Sequence, residues 1–418
     1  MGDFSILNKI QHCNFLILNL VNVPKRILPV IVFSQFAVTS LWFAGNAIIV
    51  DLQSVMNVGI QDTGIVTSAI QLGFIFGTLL FAFFSVSDRF SPRKLFLTCS
   101  ILGSLSNILI YLVAYNLFTL LVLRFLTGFF LTGIYPVGMK IAAGWYKGKL
   151  GNAIGMLVGA LVLGTAFPHL LKSFGGSLPW EQVIFIISGF SLLGGITMYL
   201  LVKDGPYISS GTKFDPKAII KIFKYEKLRS SALGYFGHMW ELYTFWALIP
   251  VILIYYLKLN PGELNISFWS FIIIASGSAG CIVGGVISKK TGSAKVAFIQ
   301  LSLSGFCCLI SPLMFNTSAP FFLIFLIFWG IVVVGDSPQY SAIIALAAPK
   351  ELVGSGLTIV NSIGFALTIL SLWFVYQFIG VIEISYALMI LALGPILGLI
   401  SMKKLISPDS SHLEKQVK

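Results

Sequence analysis

Twelve runs of about twenty apolar residues, parted by short polar stretches, leave few folds open to this chain. The hydrocarbon core of a bilayer, roughly 30 Å thick, is crossed by about 20 helical residues, and backbone groups inside it must bond to one another. The runs lie at about 28–50, 63–85, 94–114, 117–139, 150–171, 180–202, 230–256, 268–288, 296–314, 319–346, 352–378 and 381–402, and are numbered here as spans 1 to 12. They predict an all-α polytopic membrane protein. Composition agrees, with 57% hydrophobic and 10% charged residues, against roughly 25% charged in an ordinary soluble domain.

A formal charge of +12 and a pI near 9.4 raise the question of a nucleic-acid partner, which the positions of the cations decide. Of 27 Lys and Arg, only Lys172 and Lys258 fall in loops on the outer side, and Arg124 lies within a span. The rest collect in alternate loops, as the positive-inside rule requires, so both termini are expected in the cytoplasm and no nucleic acid is expected. Cys13, Cys99, Cys281, Cys307 and Cys308 form no CxxC pair and read as packing residues. The short run Phe15–Val21, interrupted by Asn19 and followed by Lys25 and Arg26, lacks a signal-peptide cleavage site and reads as an interfacial helix.

The chain divides into an N-terminal segment (1–27), a six-helix bundle (28–202), a basic linker (203–229), a second six-helix bundle (230–402) and a polar tail (403–418). The linker carries Lys203, Lys213, Lys217, Lys221, Lys224, Lys227 and Arg229 against Asp204, Asp215 and Glu226. Within it, Pro216–Leu228 sets Ile219, Ile220, Ile222 and Phe223 among lysines, which fits a short helix on the membrane surface and equally a solvated connection. The bundles carry a trace of duplication. Gly128, Gly133 and Pro136 in span 4 recur as Gly330, Gly335 and Pro338 in span 10, at a constant offset of 202 residues. Gly73 and Gly77, Gly151, Gly155 and Gly159, and Gly280 and Gly284 have the small-xxx-small spacing that lets helices approach closely.

The loop after span 2 contains Phe84, Asp88, Arg89, Ser91, Pro92, Arg93 and Lys94. With glycine at the positions of Phe84 and Ser91 it would match a signature of the major facilitator superfamily, and Arg124 four residues before Gly128 resembles a second one. The resemblance covers essentially all twelve spans. It implies two six-helix halves alternating access to a midplane site, with spans 1, 4, 7 and 10 lining the cavity. By the same resemblance Asp88, Arg89, Arg93 and Lys94, with Ser288 and Lys289 after span 8, form a cytoplasmic latch. The stretches SLWFAGNA (40–47), YFGHMWELY (235–243), GDSPQYS (335–341) and NSIGFALTILS (361–371) look like a branch loosely associated with bacterial cyanate and nitrate permeases, hence a bacterial inner membrane.

Ionisable groups at membrane depth are costly, at least about 2.5–3.5 kcal/mol on insertion scales, and so mark function or a neutralising pair. Arg124, His238, Glu241 and Asp336 fall on spans 4, 7 and 10, with Asn46, Gln339 and Asn361 as neutral companions. His238 and Glu241, three residues apart, share a helix face within the same turn as Trp240 and Tyr243, giving either a proton site or a charge-neutralising pair of Glu241 with His238 or Arg124. Arg124 suits an oxyanion, or organises the bundle through backbone or an acidic neighbour. Asp336, two residues before Pro338, pairs with a cationic group or marks a flexible point, and Tyr135 joins the aromatic cavity candidates.

No HExxH, GxSxG or phosphate-loop spacing occurs, so neither an enzyme nor a cofactor is expected. Isolated polar residues favour a carrier over a channel. The expectation is a monomeric, proton-coupled secondary transporter of a small solute, an organic or inorganic anion being one class. An efflux carrier for lipophilic compounds and a non-transporting receptor are the alternatives.

Overall fold

The computed structural model describes residues 23–49, 51–52, 62–113, 116–146, 150–174, 178–208, 214–348, 353–379 and 381–406. The interfacial helix expected before residue 23, Cys13, Lys213 and the tail beyond 406 lie outside the described residues. Among the described residues, eleven helices are long and apolar enough to cross a membrane, and a shorter apolar helix, Ile27–Thr39, precedes them. The fold is all-α, with its twelve helical spans in two halves.

Among the described residues spans 1, 4 and 10 are interrupted, and span 12 passes through a 3-10 stretch, Leu388–Ala392. Span 4 comprises Leu117–Leu131 and Tyr135–Trp145, and span 10 comprises Ala319–Gly335 and Ser337–Ala347. Each second segment begins with a proline near its first position, Pro136 and Pro338. Proline has no N–H for the preceding turn and its ring clashes with it, so a helix starts there readily; Pro168, Pro250 and Pro312, by contrast, stand inside continuous helices. The two breaks stand at the same 202-residue offset as the repeated glycines and prolines. Span 1 breaks without proline: Ile27–Thr39 ends where Thr39 Oγ1 donates to the Gln35 carbonyl at 2.8 Å and Ser40 Oγ to that of Ala37 at 2.7 Å. A four-residue helix, Ala44–Ala47, follows. Hydroxyls that bond back onto the preceding turn weaken and bend it.

Close helix contacts rest on glycine where the spacing indicates. A Cβ on Gly73 would collide with the Phe125 carbonyl, and one on Gly128 with that of Ile70. In the second half Gly280 lies against the Ile331 carbonyl and Gly330 against that of Ile273, so spans 2 and 4, and spans 8 and 10, approach backbone to backbone. Gly159 meets span 8 only in ordinary contact, at Ser278, and Gly151 has no neighbour within 4 Å, so it is not a packing residue here.

The halves meet where span 5 (Leu150–Ser173) runs along span 8 (Ile266–Thr291), and span 2 (Asp62–Phe83) along span 11 (Val353–Phe378). Along the second seam Gly64 lies under the Tyr376 ring, Thr368 Oγ1 donates to Gln71 Oε1 at 2.6 Å, and Phe74 packs on Phe365 with ring centroids 4.7 Å apart. These contacts close the end of the bundle where span 2 begins. In the linker, Ala218–Lys224 is helical, with Ala218 and Ile222 buried and Ile220 exposed. Lys221 Nζ and the Lys217 N–H donate to Asp215 and hold its carboxyl below the usual range.

Candidate functional site

A cavity of about 30 Å³ lies between the halves, room for a water or two. Tyr135, Val158 and Leu161 face it from the first half. From the second half, Tyr235, Met239, Leu242, Tyr243 and Trp246 of span 7 face it, as do Val334, Ser337 and Ser341 of span 10 and Asn361 and Phe365 of span 11. The span 7 residues recur at helical spacing and make one stripe along Glu226–Leu259. None of these lining side chains carries a charge. Tyr243 sits at the centre of an aromatic group, with ring centroids 5.2 Å from Phe365, 5.4 Å from Trp246 and 5.8 Å from Trp42.

Of the residues expected along a pathway, Tyr135, Tyr243 and Asn361 face this cavity. His238 and Glu241 both meet span 10, while Tyr243 faces the cavity. Trp240 Nε1 donates to the Ile390 carbonyl at 3.3 Å, and its ring packs on Phe374, so it points to spans 11 and 12. Glu241 lies on the side of span 7 away from the cavity. Its Oε1 accepts from Trp329 Nε1 at 2.6 Å and from Cys308 Sγ at 3.4 Å, and its Oε2 accepts from Ser304 Oγ at 2.5 Å. The carboxyl therefore ties span 7 to span 9 (Ser293–Met314) and to span 10, and pairs neither with His238 nor with Arg124 in these contacts. Aromatic packing reinforces the tie, Phe245 stacking on Trp329 at 4.3 Å.

His238 instead meets Asp336. Nδ1 lies 2.8 Å from Asp336 Oδ1, both side chains are 1% exposed, and Asp336 is the residue at the break of span 10. Tyr235 and Tyr340 flank the imidazole, with centroids 5.8 and 5.9 Å away. The pair thus stands one layer behind the wall that Tyr235 contributes. Gln339, one turn on, is buried.

Arg124 is wholly buried, and its guanidinium is taken up by backbone. Nη1 donates to the Leu41 carbonyl at 3.1 Å and Nη2 to that of Trp42. Those carbonyls belong to the break in span 1, where no following helical turn satisfies them. A planar fork matches two adjacent carbonyls, and Gly45, whose added Cβ would touch Nε, leaves it room. Arg124 Nε has no hydrogen-bond partner among the described residues. Asn46 is engaged, donating to Thr67 Oγ1 at 2.7 Å.

At the basic end, Asp88 pairs with Lys140 of span 4, which also donates to the Ser87 carbonyl at 2.6 Å. Arg93 donates to the Tyr199 carbonyl at 3.3 Å, lies 3.8 Å from Asp204, and covers the Tyr199 ring. Arg89, Lys94 and Lys289 are exposed, and Ser288 Oγ bonds back to the Gly285 carbonyl at 3.1 Å. Sequence reasoning missed Lys140 and Asp204, and also Ser304 and Trp329. Nothing in their local spacing marks them, since each matters through a partner distant in sequence.

Two helical halves joined by a linker, with a cavity at their seam, define a polytopic membrane fold. The chain belongs to the major facilitator superfamily, whose family model matches residues 30–372. It is 25% identical over 169 residues to an uncharacterized MFS-type transporter of Methanocaldococcus jannaschii, a match covering 38% of this chain and 44% of that protein, so the chain spans less than half the length of this curated relative. The fold is shared with the proton:xylose symporter XylE, solved with 6-bromo-6-deoxy-D-glucose, at TM-score 0.69 and 12% identity over 91% of this chain and 95% of that one. The protein is a multi-pass membrane protein of a transporter family.

Proposed function

We propose that the protein is a proton-coupled carrier that exposes the seam cavity alternately to the two sides of the membrane, with His238 and Asp336 as the proton site. The observation that carries this reading is the His238–Asp336 pair, buried at 2.8 Å on the break of span 10 and separated from the cavity by Tyr235. A bare carboxylate beside a neutral imidazole is expensive at membrane depth, so a shared proton favours the packed state. Losing it favours a state in which water reaches the pair, and the break in span 10 supplies the joint. The two seams that join the halves are the surfaces across which they part.

Both termini face the cytoplasm in this proposal, from the distribution of Lys and Arg. The contacts at the start of span 2 then close the outer side, and Asp88, Arg89 and Arg93 stand at the inner side as the latch. Glu241 acts as an anchor for spans 7, 9 and 10. The engagement of Arg124 with backbone carbonyls favours a substrate other than a small anion.

The test is proton movement in proteoliposomes, read with a pH-sensitive dye against a panel of carboxylates, inorganic anions, amino acids, hydrophobic cations and uncharged ring compounds. Substrate-driven proton movement is expected in the wild type and absent in Asp336→Asn, with substrate counterflow retained. Undiminished proton movement in Asp336→Asn overturns the assignment.

A further inference from the structure

The chemistry of the cavity wall names a class of substrate; this inference rests on the proposal that the seam cavity is the transport site. No charged side chain faces the cavity, Arg124, Asp336 and Glu241 among those absent from its wall. An ion entering the cavity meets no countercharge on the wall itself, in a low-dielectric surrounding, so anions and cations are both disfavoured. What the wall offers is aromatic faces, from Tyr243, Phe365 and Trp246, with the side chains of Asn361, Ser337 and Ser341 between them. Rings of this kind give large contact area with offset or edge-on geometry.

The wall holds a buried donor that is unused. The Trp246 side chain is fully buried in the wall, and its indole N–H has no acceptor among the described residues. A buried donor without a partner is costly, and a polar ligand that supplies the acceptor recovers that cost. Trp42 Nε1, in contact with the same aromatic group through Tyr243, is in the same condition.

We propose that the cavity selects an uncharged, planar ring compound bearing a hydrogen-bond acceptor, stacked among Tyr243, Trp246 and Phe365 and accepting from the Trp246 N–H. At about 30 Å³ the closed cavity holds only water, so such a ring enters when the halves part.

Benzoate, benzamide and benzamidine share one shape and differ in charge, which makes them the probes. Binding of each radiolabelled compound to the full-length protein in detergent is measured by equilibrium dialysis, for the wild type and for Trp246→Phe, which keeps the ring packing and removes the donor. Benzamide is expected to bind in preference to both ions, and Trp246→Phe to weaken it by about tenfold, the value of one hydrogen bond. Equal or tighter binding of benzoate or benzamidine overturns the proposal, as does binding of none of the three or an unchanged benzamide affinity in Trp246→Phe. Benzamide that binds as expected but is not taken up by proteoliposomes leaves this inference standing and refutes the carrier reading instead.

Discussion

Replacing Arg124 by glutamine tests whether this buried cation holds the fold or a ligand. In the structure its guanidinium donates to the carbonyls of Leu41 and Trp42 at the break of span 1, and it is wholly buried. Removing it strands two buried acceptors, at about 1–3 kcal/mol each. Glutamine returns at most one of those bonds, and the loss is further offset because a buried charge no longer needs to be desolvated. A net destabilisation of at most about 1–3 kcal/mol remains. Lysine keeps the charge but lacks the fork that spans adjacent carbonyls, so Arg124→Lys should fall about midway between wild type and Arg124→Gln. The assay is thermal unfolding of the purified protein in dodecylmaltoside, followed by tryptophan fluorescence and by the monodisperse fraction after heating. Benzoate and nitrate binding are measured on the same samples at a temperature where all variants are folded. The ordering wild type, lysine, glutamine is expected in stability, without selective loss of anion binding. Arg124→Gln that melts like the wild type and loses an anion would refute the structural role and restore Arg124 as a substrate contact.

Three further expectations follow from packing. Gly128→Ala and Gly330→Ala, each pushing a methyl onto a carbonyl of the facing helix, should destabilise by about 1–3 kcal/mol, while Gly285→Ala, with nothing within 4 Å, should be neutral or slightly stabilising; equal melting of all three would contradict the close approach. Trp329→Phe deletes the donor to Glu241 while keeping most of its stacking on Phe245, and should lower thermal stability by about 1.5–3 kcal/mol, the value of a hydrogen bond to a charged group; an unchanged melting curve would mean the carboxyl is satisfied elsewhere. Thr368→Val removes the bond to Gln71 across the seam of spans 2 and 11, and should increase labelling of a cysteine placed at Gly64 by a membrane-impermeant maleimide added from outside; unaltered labelling would place no gate at that seam.

What the sequence alone determined is whatever depends on local composition and period. Long apolar runs compel helices because no other open structure satisfies its own backbone in lipid. The paired Gly and Pro at an offset of 202 residues mark the breaks in spans 4 and 10, where proline's missing N–H weakens the preceding turn, although Pro168, Pro250 and Pro312 leave their helices continuous. Glycine spacing marks the contacts of Gly73 and Gly280, though it marks the open Gly151 equally. The buried charges are likewise visible in the sequence as exceptions in apolar runs. Only the tertiary structure decided which way they turn and what they meet. Span 7 is apolar nearly all round and is packed on several sides, so its pattern does not say that Tyr235, Met239 and Trp246 face the cavity while Glu241 faces span 9. The pairings His238 with Asp336 and Arg124 with the carbonyls of Leu41 and Trp42 join residues about 80 to 100 positions apart. Such pairings follow from how helices cross, a property that no local stretch of the chain contains.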